Sequence, residues 1–287
     1  MEAAFSEMPL ALFTTLAPMG AGAFIALAVA FFTAKFDESE LKKIDKMTLV
    51  ALAFLIVGFI ASVFHLTNPL NGVNIFAGLG TSPLSNEVVV GIVVVIIALV
   101  YCVLAVMGKL AEGARKGFAV VVAVAAIVLC VFTGMAYMME TIASWNTFLV
   151  PVQIVGFGLI GGATLAGMVI SLSGAADKLA SGTAKTALVV IAVVGVVAGV
   201  GGLAGMVGAV SGMSNAMFAG SDLVSAALPF IIVAVVALVA ACVLVVLVTR
   251  GKNANVMSII AVVCAFAGIL CARLAFYAME LSVGLSI

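Results

Sequence analysis

Apolar residues run along this chain in eight long stretches, at 9–33, 47–66, 84–107, 118–139, 148–172, 186–209, 224–249 and 256–279. A helix needs about 20 mainly apolar residues to cross a hydrocarbon layer of roughly 30 Å. The pattern therefore predicts an all-α polytopic membrane protein, a bundle of eight transmembrane helices. The spans consume most of the 287 residues, so 1–287 reads as a single integral membrane domain. The first run does not read as a cleaved signal: Glu2 and Glu7 precede it in place of cations, and it is longer than a signal core of about 7–15 residues.

The polar positions between the runs give a direction. Lys35, Lys42, Lys43 and Lys46 follow the first span; Lys109, Arg115 and Lys116 the third; Lys178 and Lys185 the fifth; Arg250 and Lys252 the seventh. Cations at every second interruption mark those four loops as cytoplasmic, which predicts both termini on the extracytoplasmic side. Glu2, Glu7, Glu87, Glu140, Asp222 and Glu280 then fall towards the outer side, with the lone histidine, His65. Short cytoplasmic loops make consecutive helices antiparallel neighbours. The mixed charges between Lys35 and Lys46 read as a solvated helical turn without chemistry.

Composition sharpens the picture. Hydrophobic residues make up 66% of the chain and charged residues 8%, against roughly a quarter charged in a soluble domain. A net charge of zero argues against nucleic acid as a partner. The five cysteines (Cys102, Cys130, Cys242, Cys264, Cys271) are scattered inside spans without CxxC spacing and read as packing residues, not metal ligands. A single histidine cannot supply the two axial ligands of a bis-histidine haem. In span six, Gly195/Gly199 and Gly201/Gly205 have the spacing that lets helix backbones approach closely. The uncharged outer loop 67–83 carries Leu70, Val73, Ile75, Phe76 and Leu79, and reads as a lid over the bundle, a seat for a partner, or a re-entrant segment.

Ionisable groups in or near a membrane are costly, so each asks for a function and a named partner. His65 closes span two and Glu87 opens span three, and a folded-back loop would bring them together at the outer face. Oxidation of a lipid-soluble quinol sheds two protons with two electrons; an imidazole of ordinary pKa about 6.5 can take a proton and a carboxylate can relay it. The same residues also fit a plain structural role: a histidine hydrogen-bonded at the interface, and a glutamate favoured by the helix start after Asn86. Arg273 lies inside the last span with Tyr277 at i+4 on its face, and Glu280 and Glu140 are its candidate acidic partners. Locking the bundle and holding a quinone head group both remain open for it. Trp145 reads as an anchor of the aromatic belt.

The segment His65-Leu66-Thr67-Asn68-Pro69-Leu70, then Asn74 and Leu84-Ser85-Asn86-Glu87, resembles the membrane-anchor subunit of the dimethyl sulfoxide reductase family. Tyr137 through Trp145, and Arg273, Phe276 and Tyr277, add to the resemblance, which extends over the whole chain in length and span count. It implies a quinol-oxidising anchor of a molybdoenzyme in the bacterial cytoplasmic membrane, active in anaerobic respiration. Menaquinol would be the bound reductant, with no haem in this chain. Molybdopterin and iron–sulfur clusters would reside in two partners, a molybdopterin catalytic subunit and an iron–sulfur electron-transfer subunit. Carried onto this sequence, His65 and Glu87 bind and deprotonate the quinol. Asn68, Pro69, Asn74, Ser85 and Asn86 shape the surrounding loop, and Arg273 and Tyr277 are further candidates for the quinol pocket. The stretch around Glu140 departs from the family pattern. The alternative of another class is a small-molecule or ion transporter of the inner membrane. Against it, the span centres are apolar and show no internal repeat.

Overall fold

The protein, described from a computed structural model, is defined at residues 2–65, 69–251 and 253–283, with side chains described for all of these but 2, 3 and 69–71. Asn68 therefore lies outside the described residues, and of Pro69 only the backbone is described. Eight helices are long and apolar enough to cross a membrane among these residues. They are α1 (Met8–Thr33), α2 (Glu38–Val63), α3 (Pro83–Val106), α4 (Glu112–Met135), α5 (Leu149–Ile170), α6 (Gly182–Ser211), α7 (Gly220–Val248) and α8 (Ala254–Ala278).

Six of the eight begin within about a turn of the expected position, allowing for the usual fraying at helix ends. The exceptions are α4, which starts at Glu112 instead of residue 118, and α2, which starts at Glu38 instead of residue 47. The charged stretch before the apolar run of α2 is itself helical: the Asp37 backbone N–H donates to Glu40 Oε2 at 2.7 Å, satisfying a donor at the helix start. Nor is that stretch wholly solvated. Asp45 is buried and forms an ion pair with Arg115 of α4, Oδ2 to Nη2 2.6 Å, an interhelical tie that charge counting did not reveal. At its far end α4 stops at Met135, four residues short of the expected limit, which leaves Tyr137 in the following connection.

Helices α1 and α5 form the centre. Their most apolar windows are 78% and 83% buried, against 28–56% for the other six, whose outward faces carry valine and isoleucine suited to lipid. Glycine explains why these two helices can cross so closely. A Cβ added at Gly22 of α1 would overlap the carbonyl of Gly158 in α5, and one at Gly162 would overlap the Gly22 backbone. In hydrocarbon no hydrophobic force drives helices together, so close backbone packing of this kind carries much of the association.

The expected glycine pairs on α6 divide. A Cβ at Gly195 would strike Ile160 of α5, and one at Gly199 would come within 2.8 Å of the Phe157 ring, so this pair does seat α6 on α5. Gly201 faces open space, and Gly205 meets only the Leu149 side chain. Identical spacing thus serves packing in one pair and not in the other.

Candidate functional site

The end of the bundle that carries both described ends of the chain holds the ionisable residues singled out above. There the 67–83 connection contains a 3-10 helix, Pro69–Gly78, which folds back on the start of α3. Ser82 caps α3 by accepting from the Ser85 N–H at 3.4 Å, and Pro83 follows where its missing N–H costs nothing. Asn86 Oδ1 accepts from the Gly80 N–H at 2.7 Å, and a Cβ at Gly78 would come within 2.5 Å of Ser85 Oγ. Ser85 and Asn86 thus shape the loop. Asn74 is exposed, and Val73, Phe76 and Leu79 are 71%, 54% and 55% exposed, so this segment covers little of the bundle.

That local structure turns Glu87 inwards. One turn into α3, it is buried to 3% exposure, so the helix cap is Ser82 and not this carboxyl. Thr133 of α4 is its polar neighbour and Arg273 of α8 its cationic one. No direct ion pair joins Glu87 and Arg273 among the described residues, and Glu87 Oε1 has no hydrogen-bond partner.

Arg273 is fully buried, and its guanidinium organises the cluster. Nε donates to Thr14 Oγ1 of α1 at 2.8 Å, and Nη2 donates to the Tyr277 hydroxyl at 3.2 Å, while Nη1 has no partner. The i,i+4 reading of Arg273 and Tyr277 therefore holds in the structure. Thr14 can accept because its own proton goes to the Leu10 carbonyl at 2.8 Å. The hydroxyls of Tyr277 and Tyr137 are 2.6 Å apart. Three aromatic faces surround the cation, with its central carbon 3.9 Å from the Phe276 ring centroid, 4.8 Å from Tyr137 and 5.0 Å from Tyr277. Such faces stabilise a cation that has lost its water.

Neither acid expected for Arg273 is its partner: no ion pair links it to Glu280 or Glu140 among the described residues. A continuous helix would put Glu280 on nearly the same face as Arg273, but α8 ends at Ala278, before that residue. Trp145 is likewise not a belt anchor. It is 7% exposed and stacked on Phe276 at 4.9 Å, with Nε1 directed at the Phe276 carbonyl at 3.4 Å.

His65 stands in a different setting from Glu87, and no hydrogen bond or ion pair joins the two among the described residues. The imidazole Nδ1 lies 3.1 Å from Glu7 Oε2 at the start of α1, and its side chain is 41% exposed. The Glu7 charge also reaches Glu280, whose carboxyl is pushed above the ordinary carboxylate range by partial burial and then by Glu7. Because the folded state holds that proton more tightly, the stability it contributes is present at low pH and is lost as pH rises through the raised value. Glu280→Gln is expected to flatten the pH dependence of the melting temperature in that window, an effect kept small by the exposure of the residue; thermal scans from acid to neutral pH would check it.

Thr14 and Thr133 were not identified from the sequence as parts of this end, and Glu7 was placed there without its partner His65. A signal existed for Thr133, which lies four residues before Tyr137 as Arg273 lies four before Tyr277. Two of the chain's three tyrosines thus follow a polar residue at helical spacing near the end of a span.

Known proteins provide an independent comparison. The family model described as DMSO reductase anchor subunit (DmsC) matches residues 1–279. A subunit of the anaerobic dimethyl sulfoxide reductase of Haemophilus influenzae is 30% identical over 165 residues, 58% of this chain and 59% of the relative. The YnfH subunit of anaerobic dimethyl sulfoxide reductase from Escherichia coli K12 is 30% identical over 140 residues, 49% of each protein. A second anaerobic dimethyl sulfoxide reductase subunit from the same organism is 26% identical over 175 residues, 61% of each. The chain thus aligns with about half to three-fifths of the length of these curated relatives.

Proposed function

This chain belongs to the DMSO reductase anchor subunit family, a multi-pass protein of the bacterial inner membrane, and on that premise we propose that it binds and oxidises menaquinol for a dimethyl sulfoxide reductase-type complex. In this reading the chain works as one integral membrane domain whose termini face outward. A molybdopterin catalytic subunit and an iron–sulfur subunit assemble on that outer side, and those partners hold the redox cofactors. Family membership leaves the transporter alternative without support.

The observation that carries the reading is the buried Glu87–Arg273 cluster at the outer end, where an acid, a guanidinium and two tyrosine hydroxyls converge among aromatic rings. Oxidation of one quinol breaks two O–H bonds and releases two protons and two electrons. The electrons pass to the iron–sulfur partner. Glu87 accepts a proton from the bound hydroxyl, Arg273 and Tyr277 orient the ring, and protons leave through the rim, where His65 and Glu7 lie 3.1 Å apart beside Glu280. His65 in this scheme is a rim proton acceptor and not a direct neighbour of Glu87.

The test uses the assembled complex in membranes. Glu87→Gln is expected to lower menaquinol-dependent reduction of the terminal acceptor by at least about 100-fold, the lower range for losing a general base. His65→Arg, which removes the rim acceptor, should give a smaller loss. Reduction driven by a soluble one-electron dye, which bypasses the quinol, should persist in both and report assembly. Full menaquinol-dependent activity in Glu87→Gln would remove this site from quinol oxidation.

A further inference from the structure

In the Glu87–Arg273 cluster two buried side-chain atoms have no hydrogen-bond partner, and they are complementary. Arg273 uses Nε on Thr14 and Nη2 on Tyr277, and Thr14 has already given its proton to the Leu10 carbonyl. One tyrosine hydroxyl donates to the other. Two atoms have no partner at all: a donor, Arg273 Nη1, and an acceptor, Glu87 Oε1, both buried. The Arg273 charge acts on Glu87, and no ion pair joins the two side chains among the described residues.

We propose that Arg273 and Glu87 form a receptor for a hydroxyl group, so that the site selects the reduced hydroquinone over the quinone. A hydroxyl oxygen accepts from Nη1 while its proton is donated to Oε1, filling both valences at once. A quinone carbonyl only accepts: it can serve Nη1 but leaves Oε1 unpaired in a dry interior, where an unmet polar group is penalised. The chemistry recognised is therefore an aromatic hydroxyl. The preference follows from the reaction: once the hydroxyl has become a carbonyl and the proton taken by Glu87 has left through the rim, the product lacks a hydrogen bond that the substrate had, and leaves. Product release is then built into the same two atoms that bind the substrate.

The inference rests on the reading that a quinol binds here, and the experiment separates the two. Redox-inert probes are required, because a quinone or hydroquinone would exchange electrons with the complex. 2-Methyl-1-naphthol and its methyl ether share the ring system, but only the naphthol can donate. Both would be titrated by fluorescence against the detergent-solubilised complex and assayed as competitors of menaquinol oxidation. The naphthol is expected to bind at least about tenfold more tightly than the ether, the equivalent of one unmet buried acceptor. In Glu87→Gln, whose amide can turn either its oxygen or its N–H towards the ligand, that preference should shrink to about threefold or less. Equal binding of the two probes by the parent complex would overturn the selectivity and leave the quinol site standing, as would an unchanged preference in Glu87→Gln. Failure of both probes to compete with menaquinol would overturn the site itself. The comparison in the parent complex needs no variant, so poor folding of Glu87→Gln would not spare the proposal.

Discussion

Gly22→Val is expected to leave little or no folded chain in the membrane. The position lies where α1 and α5 cross, and any Cβ there meets the Gly158 carbonyl, a backbone atom that cannot rotate away. The helices would have to separate, and the contacts of the two most buried spans would loosen along their length. Overpacking a well-filled core costs about 1–3 kcal/mol and sometimes more. Where backbone meets backbone the upper end applies, and valine adds two methyl groups to the first carbon. Gly201→Ala is the internal control: nothing lies within 4 Å of its Cβ, so the change should be neutral or gain up to about 1 kcal/mol of helix propensity. The yield of monodisperse protein in mild detergent, with melting temperatures for whatever is recovered, would check both. A Gly22→Val chain that is recovered and melts like its parent would show that α1 and α5 do not depend on this crossing.

The contrast between these two glycines also shows where sequence reasoning stops. Eight spans were legible because each must bury its backbone polar groups within itself, and a run of about 20 apolar residues is the direct imprint of that demand. What the runs do not encode is which face of a helix meets a neighbour. All faces of a membrane helix are apolar, so no hydrophobic stripe distinguishes protein contact from lipid contact. The spacing of Gly195/Gly199 and of Gly201/Gly205 is the same, yet only the first pair packs on α5, while Gly22 of α1, facing Gly158 and Gly162, escaped notice.

The candidate site was legible in its members more than in its grouping. Glu87, Arg273 and Tyr277 stood out because charge and phenol are rare in apolar runs, and the structure unites them. His65 stood out for the same reason, but its neighbour is Glu7, from a helix start 58 positions earlier in the chain. The pairing of His65 with Glu87 assumed that the two ends of one loop approach each other. In the bundle the central α1 brings its own first turn to the rim, and the described part of the connection folds onto the start of α3. The role of Trp145 was misread for a related reason: a tryptophan near a span end is usually at the interface, but here the 137–148 connection tucks it against Phe276.

Arg273 carries the second large expectation. Arg273→Met is expected to destabilise the bundle more than the double variant Arg273→Met with Glu87→Gln. Removing the guanidinium alone withdraws hydrogen bonds from Thr14 and Tyr277, strips three aromatic faces of their cation, and leaves the buried Glu87 carboxyl without a positive neighbour. Taking away one member of a buried charge pair typically costs about 3–5 kcal/mol, much of it the penalty on the charge left behind. Replacing Glu87 by its neutral isostere at the same time lifts that share, so the double variant should recover stability relative to Arg273→Met. The size of the recovery, read from a double-mutant cycle on melting or denaturant curves in detergent, measures the coupling of the two groups. Quinol-dependent turnover should stay low in both variants, because restoring charge balance does not restore the donor or the acceptor. Recovered stability with absent turnover would assign the pair to chemistry as well as to packing. Strict additivity would show that Arg273 locks α1 to α8 through Thr14 without regard to Glu87.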